Sequence, residues 1–431
     1  MKTNFRKSIS RFLGLLAVGA AAITAVSCAN GGNGNKTNGV PVLDFDKAFA
    51  NIEDIKLSEV AKSIRYIPVE TKSGALISSV NKNIEVVVMD GVGFFFRCHN
   101  SEPTGVHHFS PDGKYISSIG TKGRAKGEFL FNTYVVPMPD RKEIAIGGPQ
   151  DMVVYNLDNE YIWDIKYANI DTLKKFNANF WALFYFGDGT FGKLMGAKTG
   201  IGETDPNLFM MTYNKESECK ELYPVLREGT FEYSIGNGPM EGVKQSAVAV
   251  GRFFTAGNEN FYLRNSGDTM FVFGEKFKLE PVFKMEYGKV GVANKTDDYE
   301  NKITLCGNDF GGLQKLGSNF LIPFSANAMD YPEGMPYFSN KNEGSIIFDS
   351  ESGKTRIFSY NPTIDMAGFV NDLDNGLPFY PSLIQNGKMY QCIDAIQLLE
   401  KVEYADSKAL KEIAATMGEE SNPVIIEVTL K

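Results

Sequence analysis

The sequence predicts an all-β fold on three observations: turn signals about every ten residues, short alternating or β-branched runs between them, and a recurring strand–turn–strand unit. Segments 84–120, 133–167, 179–225, 251–288 and 311–360 each hold two hairpins, and 381–395 begins another. One such hairpin pair cannot bury both of its faces, whereas stacking the pairs radially does. The predicted architecture is therefore a six-bladed β-propeller.

The second half of each unit repeats one shape, an aromatic residue followed by turn residues and a strand. Phe109-Ser-Pro-Asp-Gly, Tyr155-Asn-Leu-Asp-Asn, Tyr213-Asn-Lys-Glu-Ser and Phe348-Asp-Ser-Glu-Ser-Gly are four copies. The sixth unit lacks partner strands, and the chain ends supply them. Asn422 to Lys431 is an alternating strand at the C-terminus, and Arg65-Tyr-Ile-Pro-Val-Glu is another near the start. Pairing both ends in one blade closes the ring and removes an open edge. Helical periodicity is confined to a short turn within Ile55–Ile64 and to Asp406–Met417, an excursion from the sixth blade. In the latter, Asp406 is the expected N-cap and Leu410, Ile413 and Ala414 form the apolar stripe.

The N-terminus reads as an address. Lys2, Arg6, Lys7 and Arg11 precede an apolar run, Phe12 to Val26, that is shorter than the roughly 20 residues a membrane span needs. Residues 1–27 are thus an expected signal peptide. Ala25-Val26-Ser27-Cys28 resembles the lipobox of bacterial lipoproteins, which implies acylation at Cys28 and a lipid bilayer as partner. Residues 28–39, rich in Gly and Asn, are an expected flexible tether, and 40–431 the propeller domain. No acid directly follows Cys28, which favours a periplasm-facing anchor over the cell surface. The formal charge is −8 with the leader included, and removing the basic leader makes the body more acidic. An acidic body argues against nucleic acid as a partner.

Further pieces resemble a family. Leu57 to Thr71 looks like an opening strand, and Phe109-Ser-Pro-Asp-Gly-Lys-Tyr with Ile119-Gly-Thr-Lys-Gly looks like a blade hairpin and crossing. Gly267-Asp-Thr-Met-Phe with Leu279-Glu-Pro-Val-Phe, then Asn371 to Pro381 and Ser421 to Ile426, follow in order. Together they resemble the six-bladed β-propeller lipoproteins of Bacteroidetes, which are related to NHL-repeat propellers. The crossing departs from that pattern, since Gly123-Arg-Ala-Lys-Gly-Glu-Phe carries Ala125 and Lys126 where a Gly and a Pro are usual. The resemblance implies a fold and an envelope location, and brings no reaction with it.

Chemistry-bearing motifs are sparse. Adjacent His107 and His108 point to opposite faces of a strand, and His99 beside Cys98 lacks zinc-site spacing. Asp372, Asp374 and Gly376 begin like a calcium loop, but Leu383 stands where the EF-hand pattern puts its acid. Asp297, Asp298 and Glu300 read as a solvated loop, and Gly187-Asp-Gly-Thr as a hairpin turn. No nucleophile elbow, zincin helix or P-loop is present. No metal or cofactor is expected, and no catalytic residue stands out. Cys98, Cys219, Cys306 and Cys392 permit two disulfides in three pairings, but their scatter favours buried free thiols. Arg124, Lys126 and Glu128, in the crossing after the first blade, are the candidate ligand contacts at a channel rim. The leading function is a lipid-anchored binding or scaffold module for a glycan, peptide or envelope protein, in nutrient uptake or sensing. The alternative is a lyase or hydrolase working in the central funnel.

Overall fold

The computed structural model describes residues 36–37, 39–77, 86–97, 105–130, 133–234, 244–264, 267–288, 304–305, 312–325 and 343–431. The strands form six antiparallel blades. The first comprises Val86–Met89, Gly93–Arg97, Val106–Phe109 and Tyr115–Ile119. The second comprises Tyr134–Met138, Glu143–Gly147, Asp151–Asn156 and Tyr161–Lys166. The third comprises Asn179–Tyr185, Phe191–Gly196, Leu208–Asn214 and Ser217–Leu226. The fourth holds Arg252–Ala256, Glu259–Leu263, Thr269–Phe273 and Leu279–Glu286; the fifth holds Gln314–Leu316, Asn319–Ser325, Glu343–Asp349 and Thr355–Phe358. Each falls on the unit expected for it.

The sixth blade is completed from both chain ends. Leu383–Gln385 and Lys388–Ile393 are followed by Val424–Leu430, whose free side is taken by Ala61–Pro68 in antiparallel register, Val424 opposite Pro68 and Val428 opposite Ile64. The first strand of each blade is innermost, and these strands approach one another around the ring. Gln314 ties two of them: its Nε2 donates to the Ser382 carbonyl at 3.0 Å, and its Oε1 accepts from Ile384 N at 2.9 Å.

Strand alternation explains the ring. Ile144, Ile146, Val153 and Tyr155 of the second blade face Phe95, Val106 and Ile119 of the first. Their intervening neighbours Ala145, Met152 and Val154 face Phe191, Met195 and Met211 of the third. The same two-sided pattern yields six apolar clusters, one in each seam between blades. The Pro-Asp-Gly turn of the first blade closes on Gly113 at φ +77°, where a Cβ would meet the Pro68 carbonyl oxygen at 2.4 Å.

Two local expectations are corrected. The C-terminal helix Lys408–Ala414 is capped by Ser407, whose Oγ accepts from Leu410 N at 3.2 Å, and not by Asp406. Asp406 pairs instead with Lys411 at 3.8 Å, while Leu410 and Ala414 are buried as expected. Helices Phe45–Phe49 and Ala395–Lys401 were not anticipated. The turn within 55–64 is a single 3-10 turn at Leu57–Glu59, and strand begins at Ala61. No helix among the described residues is long and apolar enough to cross a membrane.

The two ends of the blades differ. At one end the connections 90–92, 110–114, 139–142, 157–160, 186–190, 215–216, 257–258, 274–278, 317–318, 350–354 and 386–387 are all tight turns. Among the described residues, the longer connections between blade strands leave from the opposite end, including 167–178, 197–207, 359–382 and 394–423. The hairpin Thr230–Ser234 with Lys244–Val248 is also inserted there, between the third and fourth blades.

Candidate functional site

On this loop-rich end, the seam between the second and third blades holds a buried lysine. Phe191, Lys193 and Met195 share one face of their strand, so alternation alone turns Lys193 toward the second blade. Its side chain is 0 % exposed, and its Nζ donates to the Gly148 carbonyl at 2.9 Å. The ammonium lies 4.6 Å from the Tyr134 ring centre and 4.9 Å from that of Tyr167, within range for attraction to an aromatic face. The Tyr167 and Tyr213 hydroxyls bond each other at 2.8 Å behind it.

Asp151 shares this seam, 2 % exposed. Its Oδ2 accepts from Leu130 N at 3.1 Å, while its Oδ1 has no partner among the described residues. Burial lowers the Lys193 pKa to about 7, opposed by the Asp151 charge. Burial likewise raises Asp151, opposed by the Leu130 N–H and by Lys166 and Lys193. Tyr134, on the innermost strand of its blade, is raised by burial against the pull of Arg97. The result is an amine that changes charge near neutrality beside a buried carboxylate. With no exposed surface, Lys193 is enclosed in the seam and is not presented to a substrate.

The crossing that carries Arg124, Lys126 and Glu128 runs along the outer part of the second blade. Gly120 N donates to Asn159 Oδ1 at 2.7 Å, and the Tyr155 hydroxyl donates to the Gly127 carbonyl at 2.5 Å. Lys126 Nζ sits 5.4 Å from the Tyr161 ring centre, and Glu128 Oε2 accepts from Ala125 N at 2.8 Å within the loop. Arg124 and Lys126 are exposed on this crossing, which touches Tyr155 of the third strand and Tyr161 of the outer strand. Leu130 N then reaches Asp151 at the start of the third strand.

The acidic loop 371–376 is a staple. Asp374 Oδ1 accepts from the Tyr66 hydroxyl at 3.1 Å, Asn371 Nδ2 at 2.9 Å and Gly376 N at 3.1 Å, and its Oδ2 accepts from Ser407 Oγ at 2.5 Å. Asp372 accepts from Ser58 N at 2.9 Å and Oγ at 2.6 Å. Burial opposes ionisation of Asp372, but these bonds prevail and lower its pKa. Both carboxylates thus hold the N-terminal strand and the C-terminal helix to one connection.

The two strand histidines face opposite seams. His107 Nδ1 lies 2.9 Å from Ser118 Oγ, while His108 stacks on Phe95 with ring centres 4.4 Å apart. Burial is the main cause lowering the pKa of each. Cys219 and Cys392 are free, half-buried thiols. Cys28, Cys98, His99, Asp297, Asp298, Glu300 and Cys306 lie outside the described residues. Among the described residues no three His, Cys, Asp or Glu side chains converge as a metal group.

Sequence reasoning missed Lys193 and Asp151. The available signal was a lone lysine on the inward phase of an otherwise apolar, glycine-flanked strand.

A family model described as a domain of unknown function (DUF4934) matches residues 40–429. No curated protein matches the chain. Among solved structures, a Bacteroides fragilis NCTC 9343 protein named as a candidate for export is similar over 90 % of this chain and 99 % of its own. The two are 13 % identical with a TM-score of 0.58, a likeness of fold. A member of the DUF4221 family from Bacteroides vulgatus ATCC 8482 covers 88 % of this chain and 98 % of its own, at 9 % identity and a TM-score of 0.42.

Proposed function

The chain belongs to the DUF4934 family, and from that premise we propose that it is a binding module of the bacterial cell envelope. The observation that carries this reading is the concentration of the long described connections on one end of the ring. Such loops are where recognition surfaces are built, while the tight turns at the other end only close hairpins. The described histidines are turned into seams and the acids of 371–376 are engaged by internal donors, which supports binding over catalysis. The ligand class is a glycan or peptide taken up or sensed at the envelope. Arg124, Lys126 and Glu128 remain candidate contacts at the outer side of that loop-rich end.

The mature protein, challenged with soluble glycans and short peptides, is expected to give a saturable rise in melting temperature with one class and no turnover. Release of product would overturn the binding reading in favour of a lyase or hydrolase. Acylation at Cys28 would tether this module to a membrane, facing the periplasm. Cells fed an alkynyl fatty acid are expected to label the wild-type protein and not Cys28→Ala; equal labelling of both would refute the anchor.

A further inference from the structure

Segment Val40–Glu53 lies outside the six-blade pattern. Val40–Asp44 adds to the outer strand of the fourth blade in parallel, with Val42 opposite Lys284, Leu43 opposite Met285 and Asp44 opposite Glu286. The helix Phe45–Phe49 follows, capped by Asp44 Oδ1 accepting from Lys47 N at 3.1 Å. Ile52–Glu53 then adds in parallel to the outer strand of the fifth blade, Ile52 opposite Ile357. Only after these contacts does the chain become the outer strand of the sixth blade.

The fourth and fifth blades each possess four strands of their own, and Ala61–Pro68 closes the ring without help from 40–53. The segment is therefore an addition to a ring already complete. Its ladders are short, and its hold comes mainly from apolar plugs. Phe45 stacks on Tyr287 with ring centres 5.2 Å apart, Phe49 meets Phe324 edge-on at 5.7 Å, and Leu43 and Ala48 fill the same seam. Asn51 adds a clasp, its Nδ2 donating to the Thr355 carbonyl at 2.9 Å and its own carbonyl accepting from Ile357 N at 3.0 Å.

We infer that 40–53 is a releasable strap. It opens as a unit of its own, uncovering the outer edges of the fourth and fifth blades and the seam between them, while the ring stays shut. The segment is held by two short ladders and by side chains that plug a single seam, so its opening is a local event that leaves the closure of the ring untouched. The closing strand is paired with Val424–Leu430 along its length, and its Ala61 and Ile67 are buried in the seams on its two sides.

Hydrogen exchange of the full-length chain, resolved by peptide mass spectrometry, tests this. In the wild type, amides of 40–53 are expected to exchange together and faster than those of 61–68 and 424–430. In the Phe45→Ala/Phe49→Ala double variant, exchange of 40–53 is expected to accelerate about 100-fold or more. Protection at 61–68 and 424–430 should remain as in the wild type. Three results would overturn the inference: strap and closing strand exchanging in step in the wild type, both accelerating equally in the variant, or a variant that does not fold.

Discussion

Ile425→Asp is expected to unfold the whole propeller and not the sixth blade alone. Ile425 is 0 % exposed and lies in the strand paired with Cys392 on one side and Ile67 on the other. Its side chain packs in the seam between the sixth and first blades with Tyr390, Phe94, Phe96 and Phe109. Losing a buried Ile side chain costs about 2–5 kcal/mol, and a carboxyl in that seam adds a further desolvation cost of several kcal/mol. The sum rivals the roughly 5–15 kcal/mol that holds a typical native protein together. Because both chain ends meet in this blade, losing it turns a closed ring into an open one with two unmatched faces.

The two tryptophans report on the far side of the ring, Trp163 in the second blade and Trp181 in the third. Loss of their native emission together with the far-ultraviolet circular dichroism signal, at equal temperature, is the expected result. Native tryptophan emission persisting after the β signal has partly gone would show that the blades unfold independently.

The ring was legible because its information is local. Each hairpin carries its own turn residues and its own two-residue alternation, so Phe109-Ser-Pro-Asp-Gly identifies a hairpin wherever it sits. Closure was legible by deficit, since the sixth unit had one hairpin and two unpaired strands remained at the chain ends. The strap was hidden for the opposite reason. A parallel fifth strand of two to five residues has no turn beside it and no long alternation, and Phe45 and Phe49 bury only because a seam formed by the fourth and fifth blades, from Ala256 to Ile357, receives them. The crossing 120–130 links the outer strand of the first blade to the innermost strand of the second. The outer strand ends far from the axis, so the crossing first runs beside Tyr155 and Tyr161. The Asp406 cap was a near miss, in which the neighbouring Ser407 has the reach to Leu410 N.

Lys193 was hidden because its cost depends on its seam partner, and that partner lies across a blade boundary. Lys193→Met is expected to stabilise the protein, by an amount that falls as pH rises. In the folded chain the amine has a pKa of about 7, below its ordinary value of 10.5. Below about pH 7 both folded and unfolded chains carry the charge, and the folded state bears the full burial cost. Between about 7 and 10.5 the unfolded chain binds more protons than the folded one, so wild-type stability climbs with pH. Above that window both states are neutral and the penalty is gone. At 1.36 kcal/mol per unit of pKa difference, the pH-dependent part is on the order of 5 kcal/mol at most. Methionine keeps the apolar stem in the seam and forfeits the bond to Gly148, a loss of about 1 kcal/mol that pH does not alter. Urea denaturation at pH 6, 8 and 10 should show the variant ahead at pH 6 and its advantage largely gone by pH 10. An advantage of equal size at all three values would mean that Lys193 does not titrate in the seam.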